Sequence, residues 1–514
     1  MQTRPRNQAG VDVVVRLLAV LTLVLAANYV AWRWTDSVAW GAWPLSVPFV
    51  LAETHAGLCL VLLCLTLSRT TRRIPPAPPS GLSVDVFVTR YDEPVELLRR
   101  TVRSAVAFAY PHRTYVLDDG AAPEVASMAR SEGAHYLART RAPEGAHVDA
   151  KAGNLNHALR HTAGDFVLVL DADQVAHPDF LDRTLGYFDD PQVVFVQTPQ
   201  WSYNVPRPDP LGAQTPFFNG PVQRGKDAWN AALFTGSNAV LRRRALQHAR
   251  DEGIATYSLT EDLATTIRLH AAGGRGVYHD EVLAEGLAPG DLEALLSQRR
   301  RWAVGALQVL RREAPLTARG LSVGQRLMYL ETVLRYFSGF ATATLAIVTA
   351  LALTFGWWPV DSYDASLLAR AIPLALANEV LLLTAMRGPG AVRERQLSIA
   401  LWPVWIEAAC TALAPARAPA TPSFEVTPKD GATRRASLKL LRWQLGAAAL
   451  LIGSVLVAGI RLAAGVEDDL NAVVVHLAWA AYLLGGLAML PAAWAYRRNA
   501  VPSSAPALER EMPR

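Results

Sequence analysis

Two short acidic motifs each follow an apolar segment of the sequence. In "VLVLDADQ", Asp171 and Asp173 stand one residue apart after four apolar residues. Two carboxylates at this spacing suit a hard divalent cation, Mg²⁺ or Mn²⁺, that bridges to a diphosphate, and a solvated turn is the alternative. In "YVLDDG", Asp118 or Asp119 can accept hydrogen bonds from a nucleobase or ribose, or can cap a helix instead.

Two further motifs place charged side chains at the predicted start of a helix. Lys151 in "AKAGN" can face an anion together with the helix dipole, although a lone surface lysine is the simpler interpretation. In "SLTEDLATTIRLHAAG", a carboxylate in the first helical turn can act as a general base toward a hydroxyl group. Thr260, Glu261 and Asp262 also form a good N-cap with acids in the first turn, and the motif alone does not separate these interpretations.

The stretch "SQRRRWAVGAL" combines three arginines with a tryptophan. In a helix, Gln298, Arg301 and Trp302 share one face, which can hydrogen-bond phosphate oxygens and stack a ring on the indole. Arg299 and Arg300 are then expected to point toward lipid headgroups or solvent. The alternative is a basic collar with an interfacial tryptophan at a membrane surface.

The elements that must position these residues alternate between strand-like and helix-like patterns. The predicted strands are "VDVFVTRY", "TYVLDDG", "DFVLVLDADQV" and "QVVFVQTP", and the predicted helices are "EPVELLRRTVRSAVAFA", "APEVASMARSEG" and "AKAGNLNHALRHT". This alternation predicts an α/β domain with a mostly parallel sheet and helices on both faces. Ligands of such folds bind beyond the carboxyl ends of the strands, where the acidic motifs lie.

Long apolar segments flank the α/β block. They occupy 11–32, 45–67, 337–357, 365–385, 445–462 and 472–495, each about the 20 residues that a helix needs to cross a bilayer. Segment 396–414, interrupted by Pro403, is predicted to lie in the interface or to dip into the bilayer. Lys and Arg cluster in the connections that also hold the α/β block, so the positive-inside rule predicts a multi-pass plasma-membrane protein with that block and both termini in the cytoplasm.

The net charge of +5 in 514 residues is accounted for by this topology. No module of interleaved basic and aromatic residues is visible, so nucleic acid is not predicted as a partner. The three cysteines, Cys59, Cys64 and Cys410, lie in apolar segments without paired spacing and are predicted to be inert thiols.

Taken together and in this order, the motifs resemble the processive family 2 glycosyltransferases, and most of all the catalytic subunit of bacterial cellulose synthase. The matching strings are "VDVFVTRYDEP", "YVLDDG", "AKAGNLNHAL", "LDADQV", "FVQTPQWSYN", "TGSNAVLRR", "SLTEDLATTIRLHAAG", "EVLAEGLAPGDLEALLSQRRRWAVGALQVL" and "FEVTPK". The resemblance implies a GT-A-type (Rossmann-like) cytoplasmic domain inserted in an α-helical polytopic membrane domain. It also implies inverting transfer from a UDP-sugar donor to a growing polysaccharide acceptor, which is extruded through the membrane.

The resemblance implies a role for each matched residue. Tyr91, Glu93, Asp118 or Asp119, and Lys151 would contact the uridine. Asp171 and Asp173 would hold Mg²⁺ or Mn²⁺ and the diphosphate, and Asp262, next to Glu261, would be the general base. Gln298 and Arg301 would meet the diphosphate and Trp302 the acceptor sugar, while Thr427 and Lys429 in "FEVTPK" would close over the nucleotide.

Two departures from the family pattern bear on the product and its regulation. Thr235 in "LFTGSN" stands where cellulose synthases commonly have a cysteine, which leaves the acceptor open. The sequence also ends soon after the last apolar segment, so the C-terminal cyclic-di-GMP-binding domain of many relatives is expected to be absent. A periplasmic or extracellular accessory subunit is a plausible partner because the outer loops are short.

The predicted organisation has seven parts: two membrane helices (1–80), the GT-A domain (81–290), interface helices (291–335), two membrane helices (336–387), an interfacial helix with a gating loop (388–442), two membrane helices (443–497) and a disordered tail (498–514). A β-glucan made from UDP-glucose is the leading expectation. Two alternatives remain: a chitin-, hyaluronan- or mannan-like polymer from another nucleotide sugar, and a non-catalytic exporter or scaffold with a degenerate transferase domain.

Overall fold

The computed structural model describes residues 8–139, 150–249, 252–386, 390–414, 436–467 and 469–497. The strands are β1 (Val84–Arg90), β2 (Arg113–Asp118), β3 (His135–Ala138), β4 (Phe166–Asp171), β5 (Val175–Ala176), β6 (Val193–Gln197), β7 (Trp201–Ser202), β8 (Ala239–Arg242), β9 (Arg275–Tyr278) and β10 (Ala284–Gly286). The helices are α1 (Gln8–Asp36), α2 (Trp43–Leu67), α3 (Val95–Val106), α4 (Pro123–Ser131), α5 (Ala150–His161), α6 (Phe180–Thr184), α7 (Gln223–Ala228), α8 (Arg243–His248), α9 (Glu261–Ala271), α10 (Leu292–Glu313), α11 (Val323–Leu334), α12 (Ser338–Phe355), α13 (Ala365–Met386), α14 (Gly390–Ala400), α15 (Trp402–Leu413), α16 (Arg442–Ala463), α17 (Leu470–Leu487) and α18 (Leu490–Ala495). Shorter 3₁₀ turns span Trp40–Ala42, Leu185–Asp189, Arg335–Phe337 and Leu438–Leu441, and a π turn spans Phe218–Val222.

The α/β block folds around a seven-stranded sheet in the order β3-β2-β1-β4-β8-β6-β9. Among the described strands of this sheet, β8 alone runs antiparallel to its neighbours, so the predicted mostly parallel sheet is confirmed. A separate three-stranded sheet, β5-β10-β7, lies beside it. The four strands and three helices predicted from the sequence are all present.

The side chains of the central strands alternate between two buried layers. Val86 and Val88 of β1 pack with α3 and α4 on one face, whereas Phe87 packs with α5 on the other. Burial on both faces explains why these strands are apolar almost throughout. The register aligns Thr89 with Asp171 and Arg90 with Asp118, so the ends of β4 and β2 lie on either side of the end of β1.

Six helical segments of the described residues are long and apolar enough to cross a membrane, which agrees with the six predicted spans. They are Gly10–Asp36, Trp40–Leu67, Val323–Phe355, Ala365–Met386, Leu438–Ala463 and Leu470–Ala495. The third begins earlier than predicted, because α11 continues through a 3₁₀ turn into α12. Helices α14 and α15 form a pair bent by 52° just before Pro403, in the segment predicted to be interfacial or re-entrant.

Helix α10 joins the α/β block to the membrane helices. Asp291 caps its first turn by accepting a hydrogen bond from the Ala294 amide at 2.9 Å. Gly305 lets α10 approach the start of α9, since a Cβ atom there would lie 2.7 Å from the Thr260 amide nitrogen. The Ser258 hydroxyl donates a hydrogen bond to the Gly305 carbonyl at 3.1 Å, which stabilises the contact between α10 and the segment before α9. This packing fixes the arginine–tryptophan motif against the first turn of α9.

Candidate active site

A cavity of about 270 Å³ lies beyond the carboxyl ends of β1, β2 and β4. We call it the sheet-edge cavity. Most of the predicted site residues line it: Tyr91, Glu93, Asp119, Lys151, Asp171, Asp173, Glu261, Asp262, Gln298, Arg301 and Trp302. Asp118 does not line it, and Thr427 and Lys429 lie outside the described residues. Six separate motifs of the sequence therefore meet in one place.

The two acids of "YVLDDG" have different surroundings. The Asp118 carboxylate is fully buried and accepts hydrogen bonds from the Gly120 amide at 2.9 Å and the Ala122 amide at 2.8 Å. Burial raises the pKa of Asp118, but hydrogen bonds from Arg90, these amides and Tyr136 lower it by more. The net effect is a lowered pKa, so the carboxylate stays ionised. Asp118 thus holds the turn before α4 but does not cap that helix, whose N-cap residue is Ala122, and Asp119 is the acid that faces the cavity.

Lys151 lies near the start of α5, as predicted, and connects the end of β4 with the loop before β8. Its ammonium contacts the Asp171 carboxylate and the Gly236 carbonyl. Burial lowers the Lys151 pKa, but Asp171, Glu261 and Asp262 raise it by more, so the lysine is charged. Gly236 has φ +84°, and a Cβ there would lie 3.3 Å from Asp262 Oδ2, so a larger residue would strain the turn and crowd the acid.

The donor set at the end of β4 fits a divalent cation. Asp171 is half-buried and faces the cavity, and Asp173 accepts a hydrogen bond from the Leu287 amide at 2.8 Å, which orients its carboxylate. No group of three or more His, Cys, Asp or Glu side chains within the described residues forms a closed metal cage. Two carboxylates with open positions are what Mg²⁺ uses when substrate phosphates and waters supply the remaining oxygen ligands.

The acids of the "TED" motif start α9 but do not serve as its cap. Thr260 is the N-cap residue, and its side chain makes no capping hydrogen bond. Burial raises the pKa of Asp262 to about 7, and the neighbouring Glu261 carboxylate adds to the increase. Glu261 also has a raised pKa, chiefly through burial, while Lys151 opposes the effect. An acid whose pKa is tuned toward neutrality in a cavity is suited to proton transfer.

The three consecutive arginines before Trp302 in α10 divide differently from the prediction. Arg301 lines the sheet-edge cavity, where Glu261, Asp171 and Asp262 attract it, and Arg300 forms an exposed ion pair with Glu407 at 2.9 Å. Arg299 is only 6% exposed, so its predicted orientation toward lipid or solvent is wrong. The reason is that α10 packs against α15 and α11, so the side of the helix that was expected to face lipid or solvent is covered by protein.

A second cavity of about 450 Å³ adjoins the first one on the side of the membrane helices. We call it the membrane-side cavity, and residues of α2, α11, α13 and α14 line one part of it, while residues of α9, α10 and the segment 200–235 line another. The two cavities share six lining residues: Gln200, Thr215, Thr235, Thr260, Asp262 and Trp302. Asp262 and Trp302 therefore stand in the common wall, between a polar cavity at the sheet edge and a cavity that extends among the membrane helices.

Sequence reasoning assigned no role to Gln200 and Thr215, which lie in loops without a chemical pattern of their own. Gln200 donates to the Thr235 carbonyl at 2.9 Å and so braces the common wall. The Thr235 hydroxyl is buried there without a hydrogen-bond partner among the described residues. The departure from the family string at Thr235 was the signal for this position, although no sequence pattern indicated that its hydroxyl would be unpaired.

The chain matches known proteins over this same region. Residues 78–305 match the family described as "Glycosyltransferase like family 2", and residues 249–402 match the family described as "Cellulose synthase". The α/β block is therefore similar to family 2 glycosyltransferases. The predicted resemblance to cellulose synthase catalytic subunits is confirmed by the relatives below.

The curated proteins to which the chain is similar include cellulose synthases. "Cellulose synthase 1" of Komagataeibacter xylinus is 37% identical over 377 residues, which cover 69% of this chain and 24% of the relative. "Cellulose synthase catalytic subunit [UDP-forming]" of Pseudomonas fluorescens is 34% identical over 355 residues, 64% of this chain and 47% of the relative. The chain thus spans between a quarter and a half of the length of the curated relatives that it matches.

A solved structure supports the fold. The mannosyltransferase PcManGT of Pyrobaculum calidifontis, in complex with GDP-Man and Mn²⁺, superposes with a TM-score of 0.52 at 20% identity and covers 72% of this chain and 99% of that one. The predicted GT-A-type domain within a set of membrane-spanning helices is confirmed by this likeness, the mixed sheet and the six spans.

Proposed function

We propose that this protein is a processive, inverting glycosyltransferase of the membrane that polymerises a β-glucan, cellulose or a cellulose-like chain, from UDP-glucose. The observation that carries the proposal is the position of Asp262 and Trp302 in the wall common to the sheet-edge and membrane-side cavities. A nucleotide sugar in the first cavity and an acceptor in the second would meet at this wall. The similarity to UDP-forming cellulose synthase subunits supports the choice of donor and product.

The sheet-edge cavity offers groups suited to a nucleotide sugar. Tyr91, Glu93 and Asp119 would contact the uridine. Lys151 and Arg301 would supply cationic hydrogen-bond donors to the diphosphate. Asp171 and Asp173 would hold Mg²⁺ or Mn²⁺, which would neutralise charge on the leaving UDP when bound. Mn²⁺ accompanies the nucleotide sugar in the mannosyltransferase of similar fold.

Inverting transfer requires one base on the acceptor side, and Asp262 fits that role. Its carboxylate would accept the proton of the acceptor hydroxyl while that oxygen attacks the anomeric carbon from the face opposite the leaving UDP. Arg301 and Gln298 would orient the diphosphate, and the indole of Trp302 would hold the terminal sugar ring of the acceptor. The proton ends on Asp262, and the bonding electrons of the broken glycosidic bond leave with UDP.

The membrane-side cavity supports processive synthesis and export over transfer of a single sugar. It continues from the transfer site between α2 and α13, and its wall is polar as well as apolar. A polyhydroxylated chain needs such hydrogen-bonding groups, because lipid would not accommodate it. We infer that the catalytic domain and both termini are cytoplasmic, that the product crosses a plasma membrane, and that an accessory subunit on the far side receives it.

A panel of UDP-sugars tests this proposal. Purified protein with Mg²⁺ or Mn²⁺ is expected to release UDP from UDP-glucose, to form a cellulase-sensitive polymer, and to lose both activities with EDTA. Turnover of UDP-N-acetylglucosamine in place of UDP-glucose would favour the chitin-like alternative. Absence of turnover with every sugar would favour the exporter or scaffold alternative, against which the complete set of acids in the cavity argues.

The pH dependence of turnover is expected to follow ionisation of Asp262. Since the base must be ionised and its pKa is raised to about 7, UDP release should be full above that pH and decline as the pH falls through it. Between pH 8 and pH 6 the rate should drop about tenfold, as the ionised fraction does. Initial rates at saturating UDP-glucose measure this, and a rate that stays constant down to pH 5 would contradict the assignment.

Thr235 is expected to contribute to acceptor binding. Thr235→Val keeps the shape of the side chain and removes only the unpaired hydroxyl in the common wall. Polymer formation should fall about three- to tenfold, the value of one hydrogen bond, with the KM for UDP-glucose unchanged. Kinetics at varied UDP-glucose and varied cello-oligosaccharide primer separate the two effects, and a change confined to the UDP-glucose KM would place Thr235 on the donor side.

A further inference from the structure

Arg299 is a buried cation with unused hydrogen-bond donors. Its side chain lines the membrane-side cavity and is 6% exposed. Its Nε and Nη2 atoms are buried and have no hydrogen-bond partner among the described residues. Burying such donors without acceptors is unfavourable, so a guanidinium retained in this state indicates that a ligand supplies the acceptors.

The acidic side chains of the cavity wall form no ion pair with Arg299 among the described residues, and Arg335, a second cation, lines the same wall. Glu331 is paired with Lys226 at 2.6 Å, and Arg395 is paired with Glu379. Glu394 also lines the cavity and attracts Arg299 electrostatically, yet the two form no ion pair in the part of the chain that the structure describes. Arg299 and Glu394 therefore present a donor and an acceptor to the same space.

The position of Arg299 relative to the transfer site is defined by Trp302. The guanidinium carbon lies 4.6 Å from the centroid of the Trp302 ring, one turn along α10. Trp302 borders both cavities, whereas Arg299 borders the membrane-side cavity alone and Arg301 borders the sheet-edge cavity alone. Two arginines of one helix are thereby directed to the two sides of the common wall.

We propose that Arg299 binds the acceptor saccharide, donating from Nε and Nη2 to oxygen atoms of the sugar units that have already passed Trp302. The inference rests on the proposed function and adds a binding residue on the acceptor side of the same site. A guanidinium presents its donors as a planar fork that matches neighbouring oxygens of a sugar ring.

The ligand that satisfies both Arg299 and Glu394 is a neutral, hydroxyl-bearing chain. A hydroxyl group can accept a hydrogen bond from the guanidinium and donate one to the carboxylate. An anionic chain would be attracted by Arg299 but repelled by Glu394, and an apolar chain would leave both unsatisfied. The hydroxyl groups of a saccharide chain can therefore satisfy both members of the Arg299–Glu394 pair.

The test compares Arg299→Gln with Arg300→Gln in the purified full-length chain. Arg300 is the matched control, because it lies next in the same helix and forms only an exposed ion pair with Glu407. With UDP-glucose as donor, Arg299→Gln should shorten the product at least fivefold and weaken binding of cellotetraose about tenfold, a loss typical of hydrogen bonds from a charged group. Its KM for UDP-glucose should stay within twofold of the unchanged protein, and Arg300→Gln should alter none of these values.

Arg299→Lys keeps the charge without the fork and is expected to give products of intermediate length. If Arg299→Gln elutes as an aggregate on gel filtration, Arg299→Lys takes its place in the comparison with Arg300→Gln. Product length and cellotetraose affinity equal to those of the unchanged protein would overturn the inference, as would a rise in the UDP-glucose KM with product length unaltered. Failure of the unchanged protein to make any polymer would instead overturn the proposed function, before the variants are compared.

Discussion

Asp262→Asn is expected to lower UDP release from UDP-glucose by at least a hundredfold, the range that a positioned general base contributes. Asparagine has nearly the same shape but cannot accept the proton of the acceptor hydroxyl. Asp262 lines both cavities and is not one of the two proposed metal ligands, Asp171 and Asp173. The affinity for UDP in the presence of Mg²⁺, measured by calorimetry, should therefore change less than threefold.

The comparison with Asp173→Asn separates the base from the metal site. That variant loses a proposed cation ligand, so it should weaken UDP binding as well as turnover. If Asp262→Asn retained more than a tenth of the turnover, Asp262 would not be the base. Equal losses of UDP affinity in both variants would show that Asp262 supports the donor site instead.

Trp302→Ala is expected to reduce polymer formation more than tenfold while UDP binding stays unchanged. The indole lies in the common wall and would be the platform for the terminal sugar, and stacking of this kind cannot be replaced by a methyl group. Release of UDP by transfer to water should continue, so the ratio of incorporated glucose to released UDP would fall. Trp302→Phe, which keeps an aromatic face, should recover part of the polymer.

Trp443→Ala is the matched control for the loss of a tryptophan near the membrane. Trp443 is 58% exposed on α16, away from both cavities, as expected of an interfacial belt residue. The Trp443→Ala variant should leave polymer formation unchanged. If both variants lost polymer equally, the tryptophan of α10 would act as a membrane anchor and not as a sugar platform.

The architecture was predictable because it follows from hydrophobic patterns. The six spans come from segment length and apolarity alone, and the sheet comes from alternation of strand-like and helix-like segments. Strand order could not be read in the same way, since the antiparallel β8 pairs with β4 and β6 across long connections. The carboxyl-end rule nevertheless predicted where Asp119, Asp171 and Asp173 would gather.

Individual side-chain roles were less predictable, because they depend on neighbours distant in sequence. Asp118 and Asp119 are equivalent in the motif. Only the structure of the following turn shows that the Asp118 carboxylate accepts hydrogen bonds from the Gly120 and Ala122 amides. Helical spacing separated Arg301 from its neighbours correctly. It could not show that the face carrying Arg299 would be covered by α15 and enclose a cavity.

Transfer coupled to export can be measured in vesicles. The purified chain is reconstituted into sealed liposomes, and UDP-[¹⁴C]glucose with Mg²⁺ is added outside, so that only molecules with an outward-facing catalytic domain are active. Transfer at the common wall followed by passage through the membrane-side cavity predicts a labelled polymer that resists external cellulase and is digested once detergent opens the vesicles. A polymer that cellulase digests equally well before detergent, or UDP release without any polymer, would contradict it.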